Sequence, residues 1–259
     1  MKWPNELLLM RHCVSDFNHG KNVRAADPLY QAFLAEWKRG ATSPATQSLA
    51  RQVQEKFPVI KADHETDLAP GAGDKATQVG IALRKRNEPL PNIIFVSPYR
   101  RTLETLRYLT MGWPELVGVK TVHEERIIEQ DHGLACLYND WRIFFSLHPD
   151  QYHLNKLQGS YRYCYPQGEN IPNVRLRNLS WFNTLTRDFA SKNVLAIAHH
   201  LTILSIRANL ERLSPKQFRQ LDHQDKPINC GVTTYIGLPN EGSNGRLALQ
   251  KYNEKLFED

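Results

Sequence analysis

The chain has 259 residues, 41% hydrophobic and 23% charged, which are the proportions of an ordinary globular protein with a sizeable core. That excludes a disordered, collagenous or coiled-coil chain. The 33 basic and 27 acidic residues give a net charge of +6, an excess that suits an anionic partner such as phosphate but that solubility alone also explains.

The first apolar run, Leu7-Leu8-Leu9-Met10, has strand length and is too short for the core of a signal peptide. It passes straight into Arg11-His12. Residues 19–66 are expected to carry two helices, over 28–39 and 44–57, each opened by a proline and separated by the breaker run 40–43. A further helix is expected over 74–86. The second run, Ile93-Ile94-Phe95-Val96, ends in Ser97-Pro98-Tyr99-Arg100-Arg101 and leads into a helix over 101–111. His123-Glu124-Glu125 reads as a strand end. Residues 134–172 are rich in aromatics and carry Pro149, Gly159, Pro166, Gly168 and Pro172, so they read as a loop region. A helix over 175–190 precedes the third run, Val194-Leu195-Ala196-Ile197-Ala198, which ends in His199-His200 and a helix over 201–212. Ser214-Pro215 opens a short helix to about Leu221. Late strands are expected over 232–236 and 246–252, the second at a sheet edge.

Runs that are apolar on both faces suit central strands covered by helices on both sides. The predicted fold is therefore α/β, with a mostly parallel central sheet and one domain spanning residues 1–259. Residues 19–66 (two helices, a cap) and 134–172 (a substrate-side loop region) are expected as insertions over one end of the sheet. No stretch is long enough for a transmembrane helix. Cys13, Cys136, Cys164 and Cys230 form no Cys-x-x-Cys pair and show no disulfide density, which reads as a reducing cytoplasm.

Ligands of open α/β sheets bind outside the carboxyl ends of the strands. Three strands here deliver Arg11-His12, Arg100-Arg101 and His199-His200 to that edge. Such a cationic cluster repels itself unless an anion sits in it, and phosphate fits, since arginine binds it bidentately and histidine serves as nucleophile or donor. No His-Glu-x-x-His or clustered Cys/His spacing marks a metal site, and no cofactor is implied. Arg84-Lys85-Arg86, Arg175 and Arg177 read as solvated helix faces rather than a nucleic-acid surface.

Leu9-Met10-Arg11-His12-Cys13-Val14-Ser15-Asp16-Phe17-Asn18 resembles the opening R-H-G-E-S-x-x-N signature of the histidine phosphatase superfamily, the phosphoglycerate mutase-like proteins that include fructose-2,6-bisphosphatases. Ser97-Pro98-Tyr99-Arg100-Arg101-Thr102-Leu103-Glu104-Thr105 resembles its S-P-L-x-R-A-x-Q-T segment. Residues 194–199 resemble its strand ending in a second histidine. The resemblance implies His12 as nucleophile, with Arg11, Arg101 and His199 as the phosphate clamp and Asn18 as a neutral donor. Glu129, four residues before Gly133, takes the role of the acid; Glu124 and Glu125 are rivals without that spacing. A backbone N–H at His200 is implied as a further phosphate donor. Tyr163-Cys164-Tyr165-Pro166-Gln167-Gly168-Glu169 is similar to the Y-R-Y-P-x-G-E segment of fructose-2,6-bisphosphatases, so Arg162, Tyr163 and Tyr165 are substrate-binding candidates. Among the departures from the pattern, Cys13 and Val14 replace Gly and Glu, Cys164 replaces the arginine, and His200-Leu201 stand where the family has paired glycines after the second histidine. The implied activity is metal-independent hydrolysis of a small phosphate ester, such as a sugar phosphate, with neither nucleic acid nor membrane as partner. A phosphoglycerate-mutase-type transferase and a non-catalytic phosphate-binding module are the alternatives. Oligomeric state is not legible.

Overall fold

The computed structural model describes residues 2–258. In chain order its elements are β1 (Glu6–Arg11), α1 (Asp16–Ala25), α2 (Pro28–Arg39), α3 (Pro44–Lys56), α4 (Ala72–Lys85), β2 (Ile93–Val96), α5 (Arg100–Gly112), β3 (Thr121–His123), α6 (Trp141–Leu147), α7 (Pro149–Gln158), α8 (Ile171–Asp188), β4 (Asn193–Ala198), α9 (His200–Leu210), α10 (Pro215–Gln224), β5 (Val232–Leu238) and β6 (Arg246–Glu254). Short 3₁₀ turns link several of them. The chain divides into two compact units. The first comprises residues up to Ser15, His64–Glu129 and residues from Asn173 onward; the second comprises Asp16–Asp63 and Gln130–Pro172.

The first unit holds one six-stranded sheet in the order β3-β2-β4-β1-β5-β6. The strands β3, β2, β4 and β1 run parallel, while β5 and β6 pair antiparallel. The fold is α/β with a mostly parallel sheet, as the alternation of elements implies, and β6 lies at the sheet edge. Successive strand residues point to opposite faces, which is why the three runs are apolar throughout. Leu8, Met10, Ile94, Val96, Leu195 and Ile197 share one core with Ala76, Val79 and Leu83 of α4 and Leu109 of α5. Leu7, Leu9, Ile93, Phe95, Val194 and Ala196 pack on the other face against Trp181, Phe182 and Leu185 of α8 and Ile203 and Ile206 of α9.

The second unit gathers α1, α2, α3, α6 and α7. Asp27 caps α2 by accepting from Leu29 N and Tyr30 N, and Ser43 caps α3 by accepting from Thr46 N. Tyr30, Phe33, Ala50, Val53 and Ile143 form its core, beside an aromatic cluster that includes Phe144, Phe145 and Tyr163.

Three findings differ from the sequence reading. Asp16–Ala25 form the helix α1, where none was expected. Residues 134–172 are not simply a loop: α6 and α7 occupy the middle of them, and Pro149 opens α7 instead of breaking structure. Cys13 and Cys230 are joined in a disulfide, their Cα atoms 4.6 Å apart and 217 positions apart in the chain. Such bridges persist in oxidising surroundings and are rare in a reducing cytoplasm, so the absence of Cys spacing motifs was no guide to this pair. Cys136 and Cys164 remain free thiols. No helix among the described residues is long and apolar enough to cross a membrane.

Candidate active site

Strand β4 lies between β1 and β2, so the carboxyl ends of three adjacent parallel strands open side by side. Arg11 is in register with Ala198, His12 N donates to Ala198 O at 3.0 Å, and Ser97 N donates to Ile197 O at 3.1 Å. This pairing brings His12, Ser97 and His199 to one edge, and Arg101 follows in the first turn of α5. The backbone thus places Arg11, His12, Arg101 and His199 at one edge of the sheet.

His12 is 4% exposed, and its Nδ1 lies 2.7 Å from the carbonyl oxygen of Cys13. A carbonyl only accepts, so Nδ1 carries the proton and Nε2 keeps its lone pair. Burial holds the His12 pKa well below the usual histidine value, and the Arg101 and Arg11 charges push in the same direction. The ring is neutral and unprotonated at Nε2, which is the form a nucleophile needs. Cys13 N donates to Thr105 Oγ1 at 3.0 Å, Asn229 Nδ2 donates to His12 O at 2.9 Å, and Cys230 N donates to Arg11 O at 3.1 Å. The backbone around His12 is thus held from both sides.

His199 is fully buried, and its ring centroid lies 5.1 Å from that of His12. Its Nε2 is 2.8 Å from Ser97 Oγ, while its Nδ1 is buried with no partner. Burial, then Arg101, His12 and Arg11, lower its pKa well below the ordinary range. Arg101 is 4% exposed and stacks 4.9 Å above the Tyr99 ring. Arg11 donates from Nη1 to Pro227 O at 2.7 Å, and its Nε is also buried without a partner. Burial pulls the Arg11 pKa down, the Glu129 charge opposes that, and Arg101 adds to it. Buried polar atoms normally find partners. Arg11 Nε and His199 Nδ1, carried by the ends of the paired strands β1 and β4, are two buried nitrogens to which an oxyanion would be a partner.

The Glu129 carboxylate accepts from Leu201 N at 3.1 Å, in the first turn of α9, where helix N–H groups lack intrahelical acceptors. Its backbone oxygen accepts from Arg177 Nη2 at 3.0 Å. The rival Glu124 is committed elsewhere: its carboxylate pairs with Arg126 at 2.6 Å. Glu125 is exposed. His200 opens α9, and its imidazole Nε2 sits 2.9 Å from Asp222 Oδ1 of α10; the side chain is paired with a carboxylate rather than free. Among the described residues no group of three His, Cys, Asp or Glu side chains is placed to hold a metal ion.

Four expected site residues belong to the second unit. Asn18 stands in the first turn of α1, and Arg162 is exposed, its backbone oxygen accepting from Asn170 Nδ2 at 3.0 Å. Tyr163 is a core residue there; its hydroxyl donates to Gln151 Oε1 at 2.9 Å, and burial raises its pKa to about 12. Tyr165 packs on Tyr163 and on His132, with ring centroids 5.0 Å away in each case. Gly133 and Gly168, the glycines of the two motifs, lie back to back. A Cβ on Gly133, which has φ +48°, would stand 2.1 Å from Pro166 O, and one on Gly168 would stand 2.6 Å from Asp131 O. Neither position admits a side chain.

Sequence reasoning missed the Ser97 hydroxyl, although Ser97 was already part of a quoted motif. Thr105 Oγ1, in the same motif, was missed likewise, and the role of Leu201 N, a backbone group, left no sequence signal.

Residues 52–238 match the model of the histidine phosphatase superfamily (branch 1). Arg11 and His12 precede the matched segment. No curated protein matches the sequence. Among solved structures, a mycobacterial glucosyl-3-phosphoglycerate phosphatase with inorganic phosphate is similar, at 17% identity over 97% of this chain and 98% of that one, with a TM-score of 0.63. A putative alpha-ribazole-5'-P phosphatase from Escherichia coli is similar at 12% identity over 98% of both chains, with a TM-score of 0.65. A phosphoserine phosphatase variant from Entamoeba histolytica, in complex with phosphoserine, shares 17% identity over 96% of this chain and 97% of that one, with a TM-score of 0.59. These likenesses are of fold.

Proposed function

The chain belongs to the histidine phosphatase superfamily, and from that premise we propose that it hydrolyses a phosphate monoester through a phosphohistidine on His12. One observation carries this reading: the His12 Nδ1 contact to Cys13 O at 2.7 Å, which leaves Nε2 with its lone pair inside a buried set of donors. In the first step Nε2 attacks phosphorus in line, the bond to the ester oxygen breaks, and Glu129 in its acid form protonates the leaving alkoxide. In the second, the Glu129 carboxylate takes a proton from water, the hydroxide attacks phosphorus, and the P–N bond breaks to release inorganic phosphate. Arg11, Arg101 and His199 hold the non-bridging oxygens in both steps, and removal of one such donor typically costs about 10²–10³ in rate. The first-turn N–H groups of α9, His200 among them, add partial positive charge.

Because arginines and histidines supply the charge, we assign no metal to the reaction, and activity should survive EDTA. A loss of activity restored by Mg²⁺ or Zn²⁺ would contradict that. The substrate class is a small phosphorylated metabolite carrying one phosphate, such as a sugar phosphate. Cys164 stands where fructose-2,6-bisphosphatases carry arginine, and a thiol cannot clamp a second phosphate.

The test is a panel of esters assayed with the purified protein and with His12→Ala. Sugar phosphates, phosphoserine, glucosyl-3-phosphoglycerate, alpha-ribazole-5'-phosphate and an aryl phosphate cover the chemistry. Turnover of at least one member by the protein and of none by the variant is expected. Equal activity in the variant would refute the reading.

A further inference from the structure

We propose that Ser97 is a positioning residue that selects the Nδ1–H tautomer of His199 and so makes this buried imidazole a donor to the phosphoryl group. The inference rests on the phosphate-site reading above but concerns a residue to which that reading gives no role.

A neutral imidazole carries one N–H, and which nitrogen holds it is set by the partner of the other. His199 Nε2 has a single partner, Ser97 Oγ at 2.8 Å, and Nδ1 has none. With Nε2 turned to Ser97, Nδ1 is the only nitrogen left to meet an anion. Were the proton on Nε2, Ser97 would accept it, and Nδ1 would present a bare lone pair to the phosphate oxygens. Were the proton on Nδ1, the Ser97 hydroxyl would donate to Nε2 and Nδ1–H would face the anion. Only the second arrangement binds phosphate.

Ser97 is built to donate in that direction. It is fully buried, its N–H goes to Ile197 O at 3.1 Å, and its carbonyl accepts from Thr102 Oγ1 at 2.7 Å. Those two bonds fix its backbone, and hence Oγ, at the strand end. Tyr99 N donates to Ser97 Oγ at 3.5 Å, which engages one lone pair of the hydroxyl and leaves its proton available for His199. The alternative route to a donor, full protonation of His199, is opposed by burial and by the Arg101, His12 and Arg11 charges. The geometry therefore needs a hydroxyl donor beside Nε2, and Ser97 is the group there.

The experiment reads the tautomer directly. In the wild-type protein with ¹⁵N-labelled histidine, His199 should show Nδ1 as the protonated nitrogen at pH 7.5, with and without inorganic phosphate. Ser97→Ala should shift His199 toward Nε2–H or a mixture. It should also slow single-turnover phosphorylation about 10²-fold and weaken competition by inorganic phosphate, with circular dichroism unchanged. Ser97→Thr, which keeps the hydroxyl, should restore most of the rate. An Nε2–H tautomer in the wild type would overturn the proposal without any variant. So would an unchanged tautomer and a phosphorylation rate within twofold in Ser97→Ala. Should the protein hydrolyse no ester, the function proposed above fails, while the ¹⁵N tautomer measurement in the wild type and in Ser97→Ala still decides the role of Ser97.

Discussion

In the proposed reaction two buried imidazoles at neighbouring strand ends take opposite tasks, set by their hydrogen-bond partners. A carbonyl at His12 Nδ1 leaves a nucleophilic nitrogen, and a hydroxyl at His199 Nε2 leaves a donor. The proposed acid, Glu129, is set apart from its rivals by its partners as well. Glu124 is neutralised by Arg126 and Glu125 is exposed, whereas Glu129 receives an N–H from the start of α9. With p-nitrophenyl phosphate the leaving group needs little protonation, while an alkyl ester must be protonated as its bond breaks. In single-turnover assays Glu129→Gln should therefore slow phosphorylation by the alkyl ester by about 10²-fold or more and change the aryl ester far less. Arg101→Ala should slow both alike, because phosphoryl charge develops in either case. If Glu124→Gln showed the leaving-group dependence instead, the acid assignment would be wrong.

The Cys13–Cys230 bridge ties the turn after β1 to the turn before β5, with each cysteine buried. By closing a long loop it constrains the unfolded chain and is expected to contribute about 2–4 kcal/mol. Non-reducing assay should find two free thiols after denaturation, and Cys230→Ser or a strong reductant should lower the denaturant midpoint; four free thiols would contradict the bridge. No spacing rule exposes such a pair, since the two residues meet only when β1 and β5 align. Other elements were plain in the sequence. The bounds of α2 follow from the Asp27 cap, the proline after it and the basic last turn, and the three strands declare themselves by runs apolar on both faces. The bounds of α1 did not, because its only buried residue is Arg24 and no apolar stripe marks it. Both α6 and α7 were hidden for a related reason: α6 has 7 residues, too few to show a period, and α7 buries none of its side chains. At the site, the histidines and arginines were legible by type and strand-end position. The partners that set their protonation were not, because they are a backbone carbonyl and a serine whose role appears only at hydrogen-bonding distance.

Across the whole molecule, buried ionisable groups set how stability varies with pH. His12 and His199 have folded pKa values below the unfolded 6.5, so the unfolded chain binds more protons and stability is lost as pH falls below 6.5. Glu6, at the start of β1, acts in the opposite sense. Burial, followed by the neighbouring Glu88 charge, raises its pKa from 4.5 to about 7. Its contribution is therefore fully present below 4.5 and is lost as pH rises through about 7. Glu6→Gln should raise the Tm by a few degrees at pH 8 and little at pH 4.5; an equal change at both would show that its carboxyl does not titrate as described. The account as a whole stands on His12 as the atom that takes the phosphoryl group. Rapid-quench labelling with a ³²P-phosphate ester, followed by peptide mapping, measures this directly. The account predicts an acid-labile, alkali-stable phosphoryl group on His12 that forms faster than steady-state turnover and is absent from His12→Ala. Label recovered on a serine, aspartate or cysteine, or turnover that persists in His12→Ala, would contradict it.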